Sequence, residues 1–403
     1  MNRKTEAALL RIRALRKRWV LTLLTFGSSL WAMNILLAGG WSAAVRWSWT
    51  IAAAIFCLYV LAVLWKALPY NYRLEDGAFL PYFGSGNLVS LLRAWFLAAL
   101  AGFLIAPLPS GILTWLPGLL YIFNGIADLL DGYLARRAHQ VTAMGERLDM
   151  SLDGFGVLFA SLLLYRYGKL PVWILLVGIA RFLFLLVVKL REKQGKPVYD
   201  LPPSDLRRAL AGVQMGFLGG ALLPVFTPPA TIWAGAIFSL PFLLHFGRDL
   251  LWMAGICHYR MASTLSSRLI SAGKHLLLNW LPIVLRLILG VLVSQQLWDW
   301  LNSPPSFLSA WTPLGSAQTQ YDLMLVFYAL GLPSVVLGLV GRGGAALLLI
   351  GVGLQQGILP LGWADFITLA SASLMLFLGS GLVALWSPEE WLIHHRLGEG
   401  RNE

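Results

Sequence analysis

Charged residues are scarce in this sequence. They make up 12% of its 403 residues, against roughly 25% in an average soluble domain. That scarcity excludes a soluble enzyme, a disordered chain and a nucleic-acid-binding protein. Cysteine is scarcer still, since only Cys57 and Cys257 are present. They lie far apart in or beside apolar segments, so they offer no metal-ligand spacing and are interpreted as buried structural thiols.

The sequence does contain long runs without any charge. Apolar types make up 58% of the residues, and mean hydropathy is +0.70. The uncharged runs include residues 19–39, 47–65, 94–127 and 209–247. A run of about 20 apolar residues is enough for one helix to cross a bilayer, and prolines divide the two longest runs. This pattern predicts an all-α, polytopic integral membrane protein with about twelve transmembrane helices.

The distribution of Lys and Arg indicates the orientation of these helices. The basic segment 1–18 precedes an apolar run that is too long for a cleaved signal, so an uncleaved anchor is expected. With the N-terminus in the cytoplasm, the outer loops hold only Arg46, Arg166 and Lys169. Both termini are therefore predicted to be cytoplasmic, in a bacterial cytoplasmic membrane. The net charge of +12 is then explained by anionic lipid headgroups, without a nucleic-acid partner.

Four acidic residues fall at the inner ends of two consecutive predicted spans. They are Asp128, Asp131, Asp149 and Asp153. Carboxylates at membrane depth are unfavourable and indicate a functional site. Their spacing places each pair on one face of its helix, so two facing helices would direct four carboxylates at one spot. The alternative is a set of juxtamembrane charges paired with nearby arginines, which four carboxylates on two faces disfavour.

Hard oxygen ligands of this kind suit Mg²⁺ or Mn²⁺. Two such ions could clamp a pyrophosphate and stabilise its charge during displacement. Gly132 and Ala135 follow on the same face and leave room for a ligand, and Arg136 can offer a bidentate fork to phosphate. The constellation thus predicts metal-assisted chemistry on a phosphorylated substrate.

The full motif resembles the signature of the CDP-alcohol phosphotransferase family. It reads Asp128-x2-Asp131-Gly132-x2-Ala135-Arg136-x8-Gly145-x3-Asp149-x3-Asp153. The stretch from Gly86 to Arg93 also resembles the entry to the family's first core helix, usually Pro-Asn-x-x-Thr-x-x-Arg, with Gly86 in place of the proline and Ser90 in place of the threonine. The resemblance covers about residues 80–250, which would hold the six-helix core of the family.

The resemblance implies a reaction and a role for each motif residue. The reaction transfers a phosphoalcohol from a CDP-linked donor, here CDP-diacylglycerol, to a second alcohol and releases CMP. The implied metal ligands are Asp128, Asp131, Asp149 and Asp153, with Asp153 also the general base on the attacking hydroxyl. The implied CDP-binding residues are Asp128, Gly132, Ala135, Arg136 and Gly145. The family also implies a homodimer and two bound ions, Mg²⁺ or Mn²⁺.

The sequence does not identify the acceptor alcohol. Arg181, Arg207 and Arg208 are candidates for holding an acceptor phosphate, as a glycerol-phosphate or inositol-phosphate user would need. Arg207 and Arg208 could equally be ordinary cytoplasmic charge, and Arg181 could be a partner to a core aspartate. Serine and a lipid alcohol are also possible acceptors.

The predicted domain organisation follows from the extent of the resemblance. Residues 1–79 would hold the basic N-terminus and two extra helices, 80–250 the core, 251–274 a cytoplasmic connector, and 275–403 a module of four helices. The last region lacks clustered titratable groups, so it is predicted to bind lipid or a partner without catalysis. The alternative functions are a twelve-helix transporter and a catalytically silent family member acting as a scaffold.

Overall fold

The architecture is helical throughout, as the sequence predicts. The structure, a computed structural model, describes residues 3–201, 204–256, 280–303, 305–307, 311–312, 314–381 and 383–386. The α-helices in this part of the chain are α1 (Arg3–Leu36), α2 (Ala43–Ala67), α3 (Ser85–Phe103), α4 (Leu116–Arg137), α5 (Ala143–Leu152), α6 (Phe155–Arg166), α7 (Ile174–Lys193), α8 (Asp205–Leu222), α9 (Ala230–Met253), α10 (Leu281–Asn302), α11 (Ala317–Leu337), α12 (Gly341–Gln356) and α13 (Trp363–Leu378). Two short antiparallel strands, β1 (Trp311–Thr312) and β2 (Gly315–Ser316), pair before α11.

Eight helical segments are long and apolar enough to cross a membrane. Within the described ranges they are Ile12–Gly39, Ala43–Tyr70, Ser85–Phe103, Gly111–Arg137, Ala143–Arg166, Ala230–Met253, Leu281–Asn302 and Ala317–Leu337. The polytopic membrane class is therefore confirmed, whereas the count of twelve is not. The other predicted spans form α7, α8, α12 and α13, which are shorter or carry more charge.

One predicted span is interrupted where the sequence suggested a continuous helix. The structure ends α5 at Leu152 and begins α6 at Phe155. Asp153 has non-helical backbone angles (φ −55°, ψ 133°), and Gly154 has φ +90°, in the left-handed region that glycine adopts without a Cβ clash. Asp153 therefore stands at a helix break and not inside a helical turn.

The contacts between Cα atoms divide the chain into two compact units. The first comprises the described residues of Met1–Gly168, Val172–Arg181 and Leu218–Leu223, and the second those of Lys169–Pro171, Phe182–Phe217 and Pro224–Glu403. Cys57 belongs to the first unit and is buried, as predicted. Cys257 and most of the predicted connector 251–274 lie outside the described residues. The predicted domain boundaries stay predictions.

In the first unit, the second N-terminal helix, α2, packs directly on the helices that follow. Trp49 of α2 is fully buried, and a Cβ atom on Gly102 of α3 would stand 2.5 Å from its Nε1. Phe56 and Tyr59 of α2 make edge-on ring contacts with Phe155 at the start of α6. The helix break after Asp153 is therefore covered by α2.

The connection between α2 and α3 forms hydrogen bonds with the loop between α4 and α5. The Leu74 amide donates to the Val141 carbonyl at 3.0 Å, and the Ala143 amide donates to the Tyr72 carbonyl at 3.1 Å. Buried Asn71 donates through Nδ2 to two carbonyl groups of its own connection, at 2.8 Å each. These bonds fix the position at which α5 begins.

In the second unit, Arg286 of α10 joins three segments. Its guanidinium donates to the carbonyls of Val335 and Val336 at the end of α11, at 2.9 and 2.8 Å. It also donates to the carbonyls of Ser380 and Val383 after α13. Lipid offers no hydrogen-bond donor to the carbonyl groups at the end of a helix, and Arg286 supplies a donor to these groups. On the same helix, Gln296 donates to Asp365 at 2.6 Å, whereas the neighbouring Gln295 is exposed.

Arg286→Met is expected to destabilise the second unit. The change removes this donor from four carbonyl groups. Leaving a buried polar group unsatisfied typically lowers the free energy of unfolding by about 1–3 kcal/mol. The apparent melting temperature in detergent should fall by several degrees. Gln295→Met is the matched control, because Gln295 is an exposed residue of the same helix with no side-chain hydrogen bond in the described structure. Equal melting temperatures for the two variants would contradict the joining role of Arg286.

Candidate active site

Four carboxylates gather around one buried guanidinium. The Arg93 side chain of α3 is 5% exposed. Its Nη2 lies 2.5 Å from Asp128 and 3.7 Å from Asp153, and its Nη1 lies 2.9 Å from Asp131 and 2.6 Å from Asp149. All four aspartates of the sequence motif are thus brought to one place. They come from α4, α5 and the break that follows α5.

A close approach of α3 to α4 places Arg93 beside the carboxylates. A Cβ atom on Gly86 would stand 2.7 Å from the Cβ of Ala135 and 2.9 Å from the Asp131 carbonyl oxygen. Only two very small residues allow helices to approach so closely. Gly86 and Ala135 therefore serve packing here, and Arg93 lies two turns of helix further along α3.

The acidic side chains differ in what holds them. Both oxygens of Asp131 are hydrogen-bonded, Oδ2 to Ser90 at 3.0 Å and to Arg93, and Oδ1 to the Gly132 amide at 2.6 Å. Its side chain is 12% exposed, whereas that of Asp149 is 47% exposed. The second oxygen of Asp153 lies 3.1 Å from Arg181 Nη1. Asp131 is therefore the most enclosed of the four carboxylates.

Divalent cations fit this arrangement of oxygen atoms. Asp128, Asp149 and Asp153 each offer one carboxylate oxygen, and these three atoms lie within 4.8 Å of one another. Four carboxylates with Arg93 and Arg181 have a net formal charge of −2. Two divalent cations would change this to +2, which matches the two negative charges of a pyrophosphate diester. The donor set is that of hard cations such as Mg²⁺ and Mn²⁺.

The small residues of the motif have different surroundings. The three atoms nearest to a Cβ on Gly132 would all belong to the Arg136 side chain, with Nη1 at 3.0 Å. Arg136 is exposed, and its guanidinium has no hydrogen-bond partner among the described residues. Gly145 instead faces Asn87, whose Oδ1 would stand 2.5 Å from an added Cβ, and Thr142. Gly132 and Arg136 thus leave space for a ligand, whereas Gly145 is tightly packed.

Gly145→Ala and Gly132→Ala are expected to act differently. The first forces a methyl group against Asn87, which is buried and bonded to Thr142 at 3.1 Å. Overpacking of this kind loses about 1–3 kcal/mol, so the melting temperature should fall. Gly132→Ala should leave the melting temperature unchanged but raise KM for the nucleotide-linked donor. Melting curves and steady-state kinetics of both variants test this, and a stable Gly145→Ala protein would contradict it.

The three candidate acceptor residues fall in different parts of the structure. Arg181 belongs to the first unit and contacts Asp153. Arg207 and Arg208 belong to the second unit, where Arg207 Nε donates to buried Asp249 at 2.8 Å. Arg248 donates to the same carboxylate at 3.0 Å. Arg181 is therefore the acceptor candidate that the structure joins to the acidic cluster.

Sequence reasoning assigned no role to Arg93 or Ser90. Both were noted only as matches to the family's helix entry, yet they contact the carboxylates directly. Their spacing of three residues places them on one face of α3, which is a signal that could have paired them. The identity of the facing helix, however, is a tertiary property.

Comparison with known proteins agrees with this geometry. The sequence model of the family CDP-alcohol phosphatidyltransferase matches residues 84–247. These residues form a CDP-alcohol phosphatidyltransferase domain. The family resemblance read from the motif is thereby confirmed, and the match includes all four aspartates together with Arg93. A divalent-metal requirement is general in CDP-alcohol phosphatidyltransferases, which agrees with the acidic cluster.

The CDP-alcohol phosphatidyltransferase domain is also similar to a curated bacterial protein. The chain is 36% identical over 104 residues to a protein of Streptomyces coelicolor named cardiolipin synthase (CMP-forming). That alignment covers 26% of this chain and 42% of the relative, so the chain spans less than half of the relative's length. No solved structure matches the chain at a significant level.

Proposed function

We propose that the protein transfers a phosphatidyl group from CDP-diacylglycerol to an alcohol and releases CMP. The observation that carries the proposal is the convergence of Asp128, Asp131, Asp149 and Asp153 within a segment that matches the family. Bound Mg²⁺ or Mn²⁺ would neutralise charge on the pyrophosphate of the donor. The residues of the chain then bind the donor, orient the acceptor and accept the proton.

Each step of the transfer has a candidate residue. Arg136, exposed and near Gly132, offers a forked donor to the phosphate of the CDP group. The acceptor hydroxyl oxygen attacks the phosphorus that carries diacylglycerol. The bond between this phosphorus and the bridging oxygen of the pyrophosphate breaks, and CMP leaves with that oxygen. Asp153 accepts the hydroxyl proton. At the helix break, this carboxylate lies next to Asp149 and Arg181.

For the acceptor, we propose a lipid alcohol, phosphatidylglycerol. The support is the name of the Streptomyces relative, since cardiolipin is two phosphatidyl groups joined by glycerol. Arg181 is 42% exposed beside the proposed base and can contact the phosphate of such a lipid. Arg207 and Arg208 stay second candidates for this contact.

The wider setting is also proposed. The distribution of basic residues supports cytoplasmic termini in a bacterial membrane, which would expose the acidic cluster to the cytoplasmic nucleotide-lipid. The family resemblance supports a homodimer. Crosslinking or mass measurement in detergent would test the dimer, and a protein that is only monomeric would contradict it.

An acceptor panel tests the proposed reaction. Purified protein in lipid is given labelled CDP-diacylglycerol and Mg²⁺ or Mn²⁺, with phosphatidylglycerol, glycerol phosphate, inositol phosphate or serine in separate reactions. Release of CMP and formation of a labelled four-chain lipid are expected only with phosphatidylglycerol. CMP release with another acceptor would retain the reaction and correct the substrate. No CMP release with any acceptor would contradict the transferase function and leave the scaffold or transporter alternatives.

A further inference from the structure

We propose that Arg93 is a positioning residue of the acidic site, the internal counter-cation that holds one oxygen of each of its four carboxylates. The inference rests on the proposed function for the identity of the site. It concerns a residue that contacts neither the donor nor the acceptor, because its side chain is 5% exposed. Its effect on the reaction is therefore exerted through the aspartates.

The two terminal nitrogens of the guanidinium contact all four carboxylates. Arginine has four terminal N–H groups in a rigid fork. Nη1 donates hydrogen bonds to Asp131 and Asp149, and Nη2 forms ion pairs with Asp128 at 2.5 Å and with Asp153 at 3.7 Å. The remaining donor, Nε, is buried without a hydrogen-bond partner. The side chain is thus held at its end by the four aspartates.

The contacts leave specific oxygen atoms for cations. Arg93 takes Oδ1 of Asp128, Asp149 and Asp153 and Oδ2 of Asp131. The other oxygen of Asp131 accepts from the Gly132 amide, and that of Asp153 contacts Arg181. Oδ2 of Asp128 and Oδ2 of Asp149 have no hydrogen-bond partner among the described residues. These two atoms, on the two helices α4 and α5, are therefore available to a metal without displacing an arginine.

Electrostatics explains why the site needs such a residue. Four carboxylates at membrane depth repel one another strongly because the surroundings have a low dielectric constant. A guanidinium that bridges α3 to both α4 and α5 offsets this repulsion and fixes the separation of the carboxylates. It also opposes the binding of further cations. Removing it should therefore increase the attraction for metal while it disturbs the geometry that turnover requires.

The test compares metal binding with turnover in Arg93→Gln and Arg93→Lys. Mn²⁺ affinity is measured by electron paramagnetic resonance, and melting temperature is measured in chelator and in saturating Mn²⁺. Arg93→Gln is expected to melt lower than the parent protein in chelator and to gain more from Mn²⁺. It should bind Mn²⁺ several-fold more tightly yet release CMP at least ten-fold more slowly. Arg93→Lys keeps the positive charge but lacks the forked guanidinium. Its Mn²⁺ affinity and its rate of CMP release should lie between those of the parent protein and Arg93→Gln.

Arg137→Gln is the control, because Arg137 lies at the exposed end of α4 and contacts Tyr133 but no carboxylate. It should leave the Mn²⁺ affinity unchanged. If Arg93→Gln fails to fold even with Mn²⁺, the same measurements on Arg93→Lys test the proposal. An Mn²⁺-induced rise in melting temperature no larger than that of the parent protein, in whichever variant folds, would overturn the proposal. A parent protein that binds Mn²⁺ but never releases CMP would contradict the proposed function instead.

Discussion

Asp153→Asn is expected to lower the rate of CMP release by about 10²–10⁴-fold, the usual contribution of a general base. An amide has nearly the shape of the carboxylate but cannot accept the proton of the acceptor hydroxyl. Binding of the CDP-linked lipid should be largely kept, because Asp128, Asp131 and Asp149 are unchanged. Single-turnover CMP release and equilibrium binding of the labelled donor, measured on the same preparation, separate the two effects.

The control for this substitution lies two residues earlier on the chain. The Ser151 hydroxyl is exposed and donates to the Arg147 carbonyl at 2.8 Å, away from the carboxylates. Ser151→Ala should therefore release CMP at the rate of the parent protein. An Asp153→Asn protein with most of its activity would show that another group accepts the proton.

Asp128→Ala is expected to abolish both metal binding and donor binding. The substitution removes one of the three carboxylates that lie within 4.8 Å of one another, and it removes an ion pair of Arg93. Even the loss of an outer-shell partner reduces metal affinity by about 10–100-fold, so the loss of a ligand should exceed that range. Mn²⁺ titration and CDP-lipid binding measure the two losses directly.

Glu146→Gln provides the comparison for Asp128→Ala. Glu146 is an exposed acid on α5, one turn before Asp149, and makes no ion pair in the described structure. Its substitution removes one negative charge near the site and should leave Mn²⁺ binding intact. In the parent protein a chelator should stop CMP release, and Mg²⁺ or Mn²⁺ should restore it. Activity that survives exhaustive chelation would contradict the metal-assisted reaction.

The convergence of the aspartates followed from the sequence because helical periodicity is local. Asp128 and Asp131 are three residues apart, so any helix places them on one face. The hairpin between α4 and α5 is short, which limits how far Asp149 can lie from them. The role of Arg93 could not be read in this way, since it depends on which face of α3 meets α4. The contact between α3 and α4 depends on Gly86 and Ala135, two small residues whose pairing cannot be predicted from the sequence.

Two other features were less accessible to sequence reasoning. Asp149 and Asp153 have the spacing of one helical turn, and the same spacing is compatible with the break that Gly154 introduces. A single glycine in an apolar run is too common to predict a break. The count of twelve spans was not confirmed for another reason: α7 carries Arg181 and ends in a charged turn, so its apolar part is shorter than the helix.

The fit of Trp49 against Gly102 has a consequence for how relatives of this protein can differ. The indole lies where any side chain at position 102 would stand, so these two positions must change together. A relative with alanine or leucine in place of Gly102 would need a smaller residue in place of Trp49. The segment 84–247 expressed without α2 would leave an empty groove on α3 beside Gly102, where the Trp49 indole packs in the full chain. The helix α2 thus helps to determine how the segment 84–247 packs.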